Sequence, residues 1–200
     1  MNIFTPLKKF NLDYLKICDV ISKSYSLQHA TYLYLAILSA EDKYFLDHKG
    51  VSMKSLLRAL VKRHGGASTI NMQLVRTITN RREITILRKI REILLSLIID
   101  LKFSKKQILD SYLENAYFGY HLNGIHSVLS LFFETQKLDT LTMKDNCFIA
   151  SLLKRPYNPS KHKEWTVLVE KRVAHILFQL KANEENLLLK IKTTLESNNK

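Results

Sequence analysis

Between Ile84 and Leu101 apolar Leu87, Ile90, Leu94 and Ile98 recur at helical spacing, while Arg88 and Arg91 form a basic face. A pattern with this period cannot settle as a strand, whose successive side chains alternate between two faces. Similar segments fill most of the chain. His29 to Phe45 reads as a buried helix, with Tyr32, Leu33, Leu35, Ala36, Ile37, Leu38 and Ala40 placing apolar groups nearly all round. Ser52 is placed to cap a short helix carrying Leu56, Leu57, Leu60 and Val61. Ser104 is placed to cap another, with Ile108, Leu109 and Tyr112 on its core side. Further helices are predicted around Val128, Leu129 and Phe132, then over 142–153, closed by Pro156 and Pro159, and over 167–180 and 184–195. Five glycines and three prolines are too few for the turns of a sandwich or barrel. With no repeat and no β-alternation, the expected fold is all-α and a single domain.

The length suits one domain with a sizeable core. The formal charge of +13 favours phosphate-bearing partners: nucleic acid, an anionic membrane surface or a pyrophosphate substrate. A basic surface kept for solubility is the plainer reading. Cys18 and Cys147 lack the spacing of a zinc site or a disulfide framework, and the seven histidines form no ligand motif. Residues 1–9 show no secretory signal, and the apolar run Ile93–Ile99 is far too short to span a bilayer. The chain is therefore expected to cross no membrane, although it can lie on one.

Three local patterns bear on chemistry. Helical spacing would put Glu41, Phe45 and His48 on one face, with Asp42 beside them. A carboxylate ending an apolar helix and facing an aromatic ring is desolvated, which moves it towards basicity near neutral pH. The competing reading is a solvated acidic pair at a helix end. Next, Gly65-Gly66-Ala67-Ser68-Thr69 leads into a helix whose unpaired N–H groups suit a phosphate oxygen, and Thr69, Gln73 and Arg76 would form one polar stripe. The spacing is not that of a Walker loop. Third, Arg88 and Lys89 precede Glu92 by four and three residues. On a surface this is an ordinary salt bridge. In a cleft the cations would bind pyrophosphate while Glu92 holds a metal or manages a proton.

Taken in order, these motifs resemble the peptidoglycan glycosyltransferases of family 51, the transglycosylase domain of class A penicillin-binding proteins and of monofunctional transglycosylases. Glu41-Asp42-x-x-Phe45-x-x-His48-x-Gly50 is similar to the first family motif, Gly66-Ala67-Ser68-Thr69-Ile70 with Gln73 to the second, and Arg88-Lys89-x-x-Glu92 to the third. Lys106-x-Ile108-Leu109-Asp110-x-Tyr112-Leu113 with Tyr117-Phe118-Gly119 resembles the fourth, and Lys171-Arg172 with Ile176-Leu177 the fifth. The resemblance implies a lysozyme-like helical domain over residues 30–180, with a helical lead-in over 1–29 and a C-terminal helix and tail over 181–200. It implies polymerisation of lipid II into glycan strands with inversion and release of undecaprenyl pyrophosphate. Glu41 would be the general base. Glu92, with Arg88 and Lys89, would face the pyrophosphate, with a divalent cation such as Mg2+ allowed at Glu92 but no cofactor required. Asp42, Phe45, His48, Gly66, Ser68, Thr69, Gln73 and Arg76 would shape the substrate cleft. The implied partners are lipid II, the growing strand, other cell-wall synthesis proteins and the outer face of the cytoplasmic membrane, held peripherally.

The chain departs from the family pattern at several positions. Asn71-Met72-Gln73 stands for Thr-Gln-Gln, Arg76-Thr77 for Lys-Asn, Glu114 for an asparagine, and Glu134-Thr135 for Gly-Lys. The stretch from Gly50 to Gly65 is shorter than usual, and the family's membrane-spanning anchor is not seen. A non-catalytic relative that binds lipid II or a cell-wall synthase is the first rival reading. A nucleic-acid binder is the second, and it is disfavoured because aromatic residues are not interleaved with the basic ones.

Overall fold

The computed structural model describes residues 4–52, 68–81 and 83–196. Among these residues nine α-helices and one small hairpin follow in the order α1 Phe4–Lys23, α2 Thr31–Glu41, α3 Ile70–Thr79, α4 Ile86–Lys102, α5 Lys105–Asn115, β1 Tyr117–Gly119, β2 Leu122–Asn123, α6 Ile125–Phe133, α7 Met143–Leu152, α8 His162–Lys181 and α9 Glu184–Ile191. The fold is all-α, as its periodicity implies. The helix expected after Ser52, the diglycine turn with Gly66, and Arg82 lie outside the described residues.

The central element is α2. Leu33, Leu35, Ala36, Ile37 and Leu38 are all buried, as an all-round apolar helix requires, and α7, α8 and α9 pack around it. Ile17 and Ile21 of α1 and Leu187 and Ile191 of α9 join the same core. Helix α3 packs against both α4 and α5. Helix starts are fixed by hydroxyls: Thr69, Thr85, Ser104 and Thr142 each accept from the backbone N–H three residues on. Gln107 and Asp145 complete capping boxes at the last two. Each such cap stabilises its helix by ~1 kcal/mol.

The structure corrects two sequence expectations. Helix α2 stops at Glu41 rather than running to Phe45, because Asp42 is extended at φ −157° and its carboxylate engages other groups. Glu41, Phe45 and His48 therefore share no helical face. The chain then turns over 43–50 and ends this loop at Gly50, whose φ of +78° and contact with α4 both need glycine. A Cβ there would lie 2.2 Å from the Ser96 carbonyl oxygen. Second, residues 117–123 form a two-stranded hairpin pairing Tyr117 with Asn123, too short to leave an alternating pattern. The period of amphipathic α4 leaves its inward face unassigned, and the structure supplies it: Leu87, Ile90, Leu94 and Ile98 are exposed, whereas Glu92, Leu95, Ser96 and Ile99 are buried.

Candidate active site

The end of α2, the face of α3 and the first half of α4 bring two carboxylates to a shared support. Glu41 is the last residue of α2. Gln73 on α3 donates from Nε2 to Glu41 Oε2 at 3.3 Å, and the Tyr112 hydroxyl on α5 donates to Gln73 Oε1 at 2.8 Å. This second bond fixes the amide so that its NH2 faces the carboxylate. Arg172 on α8 donates to the Ala40 carbonyl at 2.8 Å and stands 3.5 Å from Glu41 Oε1. That oxygen is buried and accepts no hydrogen bond. Burial pushes the Glu41 carboxyl up, and the Gln73 hydrogen bond and the charges of Arg172 and Lys154 offset only part of the rise. Tyr112 is pushed well above its usual value by burial and by the charges of Glu41 and Asp42, so it remains a phenol and a donor.

One helical turn along α3, Arg76 grips the other carboxylate. Its Nε donates to Glu92 Oε1 at 2.9 Å and its Nη2 to Oε2 at 3.1 Å, the forked geometry suited to a guanidinium. Arg88 Nη1 also donates to Oε1, and Lys89 Nζ lies 3.4 Å from Oε2. Ser68 accepts from Arg76 at 3.2 Å and Lys89 at 3.3 Å, closing the cluster. Burial alone would raise the Glu92 carboxyl, but the Arg76 bond and the charges of Arg76, Lys89 and Arg88 outweigh it and hold it below the carboxylate range. Lys89 is pushed down by burial and by its neighbours Arg76 and Arg88, against the opposing pull of Glu92.

The expected metal position at Glu92 is poorly suited to a divalent cation. Guanidinium and ammonium donors already engage both oxygens, and three cations surround one carboxylate. No group of three or more His, Cys, Asp and Glu suited to a metal occurs among the described residues. This net positive cluster suits an anion with several oxygens.

The remaining expected site residues divide by position. Asp42 Oδ2 lies 2.9 Å from His48 Nε2 and accepts from the Ile70 N–H at 3.1 Å. Thr69 donates to the Gly50 carbonyl at 2.7 Å while capping α3. Phe45 is wholly buried, with Lys105 Nζ 4.7 Å from its ring centroid and His48 against its edge. Asp42, Phe45, His48 and Thr69 thus fasten the 42–50 loop to the start of α3 and so set the distance between α2 and the polar face of α3. The basic run also divides. Arg81 binds Asp13 of α1 at 2.9 Å and Arg91 stands 3.6 Å from the same carboxylate, leaving Arg76, Arg88 and Lys89 at Glu92.

Among the departures from the family pattern in this segment, Arg76 is the one that touches a carboxylate of the site. Asn71 is buried and donates to Asp100 at 3.0 Å, Met72 is core, and Thr77 faces solvent. Reading the sequence by faces missed Tyr112 and Arg172 as partners of the Glu41 network. Tyr112 reads there only as the core side of α5, and its place in an ordered motif was the one available signal.

The described residues thus form an all-helical domain with one buried carboxylate, Glu41, supported by Gln73 and Arg172, and a second, Glu92, bound by three cations. Residues 22–181 match the transglycosylase family, and the chain belongs to that family. It is 33% identical over 138 residues to penicillin-binding protein 1A of Rickettsia typhi, covering 64% of this chain and 18% of that protein. It is 32% identical over 144 residues to penicillin-binding protein 4 of Bacillus subtilis, covering 68% and 23%. Against penicillin-binding protein 1A of Pseudomonas aeruginosa it is 38% identical over 134 residues, covering 62% and 16%. The chain thus spans less than a quarter of the length of these relatives.

Proposed function

We propose that this chain is a peptidoglycan glycosyltransferase that polymerises lipid II into glycan strands. The observation that carries this reading is one helix holding two carboxylates in opposite settings: Gln73 supports buried Glu41, one of whose oxygens accepts no hydrogen bond, while Arg76, one turn on, joins Arg88 and Lys89 around Glu92. Burial makes the Glu41 carboxylate a stronger base than an ordinary one, whereas a carboxylate locked by three cations is a weaker one.

In the proposed reaction Glu41 takes the proton from the acceptor sugar hydroxyl. The freed oxygen pair forms a bond to the anomeric carbon of the donor strand, with inversion. The bond from that carbon to the diphosphate breaks, and its electron pair leaves with undecaprenyl pyrophosphate. Arg76, Arg88 and Lys89 neutralise the charge that develops there, and Glu92 holds the three in register. Gln73 and Tyr112 orient Glu41. Positive groups placed in advance stabilise the leaving group without reorganising as the bond breaks. The lipid-linked substrate places the protein at a membrane surface, and no described helix is long and apolar enough to cross one.

Purified protein supplied with labelled lipid II is expected to form glycan strands, and Glu41→Gln to form none while remaining folded. A wild type that binds lipid II without turnover would instead identify a binding relative.

A further inference from the structure

The Arg76–Glu92 fork has a counterpart at the other end of the contact between α3 and α4, where Asn71 Nδ2 donates to Asp100 Oδ1 at 3.0 Å. Glu92, Ser96 and Asp100 recur every four residues and so share one stripe of α4. The earlier residue of α3 meets the later one of α4, so the two cross-links fix the register of an antiparallel helix pair at two points. Asn71 is wholly buried, and its Oδ1 accepts no hydrogen bond. An orphaned amide oxygen is unfavourable, and an apolar side chain would avoid that cost. The bond to Asp100 is what the amide supplies in return.

Asp100 passes the contact on. Its Oδ1 also accepts from Lys105 Nζ at 2.6 Å, and the same Nζ donates to the His48 carbonyl at 2.6 Å. The ring centroid of Phe45 lies 4.7 Å from that nitrogen. An ammonium has three donors and no acceptor, and a carboxylate, a carbonyl and an aromatic face are the groups that suit it. Both charged side chains are largely buried, with 15% of Lys105 and 6% of Asp100 exposed. Lys105 is thereby withdrawn from the solvated basic excess and committed to the 42–50 loop.

We infer that Lys105 is a positioning residue for the transfer reaction proposed above, holding the loop that follows Glu41 in register with the helix that carries Glu92. The path from it to the site is continuous. Lys105 fixes the His48 carbonyl, the His48 ring lies 2.9 Å from Asp42, and Asp42 accepts from the Ile70 N–H at the start of α3. From there Gln73 reaches Glu41 and Arg76 reaches Glu92. Thr69 holds the next anchored carbonyl of the loop, at Gly50. On the outer side Lys190 pairs with Asp47, but both are exposed, and such a pair is weakened by solvent. Lys105 is the buried ionic anchor nearest Asp42 and His48. It touches neither carboxylate of the site, so its effect reaches the chemistry through geometry. Misplacing a reacting group by about 1 Å is enough to cost about a hundredfold in rate.

The test separates position from stability. Lys105→Met alone leaves the Asp100 charge poorly compensated and should lower Tm. Adding Asp100→Asn removes that charge, and the double variant should regain the wild-type Tm to within about 3 °C. It still lacks the bond to the His48 carbonyl. With lipid II its kcat is expected about a hundredfold below wild type, with KM within about twofold. Without substrate, the Ile70 amide should exchange with solvent at least about tenfold faster by NMR, because its Asp42 acceptor has lost its support. A double variant of wild-type stability with unchanged Ile70 exchange and unchanged kcat would reduce Lys105–Asp100 to an ordinary salt bridge and overturn the inference. The exchange measurement needs no activity. Faster exchange in the double variant alongside a wild type that forms no glycan strands would support the positioning and sink only the transferase reading. Should the double variant fail to fold, wild type decides: Lys105 ammonium protons protected from exchange support the clamp, and protons that exchange like those of exposed lysines overturn it.

Discussion

Gln73 and Arg76 stand one turn apart on α3, and each holds a different carboxylate: Gln73 donates to Glu41, while Arg76 forks onto Glu92. Three residues of helix rise about 4.5 Å. The helix therefore couples the spacing of a proposed base to that of a cationic anion site, and one rotation of α3 would spoil both. The start of this helix is held by Asp42 and Thr69, which explains why residues with no catalytic atom belong to the motif.

Replacing Glu41 with glutamine should separate activity from stability. A carboxyl raised by burial is costly in its charged form, so stability is lower above its folded value and is recovered as the pH falls through it. Glu41→Gln removes that cost at neutral pH. The variant is expected to lose activity by at least about a thousandfold while its Tm stays level or rises, measured by scanning calorimetry. A drop in Tm of several degrees would assign Glu41 a structural role.

The pH dependence should follow the same group. The acid limb of kcat/KM is expected above the ordinary carboxylate range, because the base must be deprotonated and its carboxyl is raised. Gln73→Met removes a hydrogen bond that favours the charged form and should move this limb to higher pH. Tyr112→Phe frees the Gln73 amide and should move it in the same direction by less. Rate profiles of the three proteins check this ordering.

Glu92 has the opposite linkage. Its carboxyl is lowered, so its contribution to stability is present above the unfolded carboxylate value and is lost as the pH falls through the folded one. Glu92→Gln should destabilise by about 2 kcal/mol at neutral pH, since three cations lose their shared partner and Arg76 is partly solvated. The difference from wild type should shrink in acid. Chemical unfolding at two pH values measures it.

If Arg88 and Lys89 receive a diphosphate, inorganic pyrophosphate should inhibit. Replacing either with alanine should weaken that inhibition about tenfold, the scale of one charge-assisted contact. Chelation should leave inhibition unchanged, because the cluster offers cations in place of a metal. A loss of inhibition on chelation would restore a metal to the site.

Much of this was legible from the chain. The helices announced themselves through apolar spacing and through Ser104, whose cap is local chemistry. The ordered motifs led to the family to which the chain belongs. The end of α2 was not legible, since Asp42 stops it by bonding Ile70, a residue 28 positions away. Nor was the inward face of α4. Periodicity gives two faces and leaves open which one is inside, and here the charged face was drawn inward by partners on α1 and α3. The roles of Tyr112 and Arg172 likewise arise from α5 and α8 meeting α2 and α3, which no local pattern records.

The central claim is tested most directly by incubating wild type and Glu41→Gln with labelled lipid II under identical conditions and resolving the products by size. A ladder of glycan strands from wild type and none from the folded variant is the expected result. Equal polymer from both proteins, or none from wild type across detergents and metals, would contradict it.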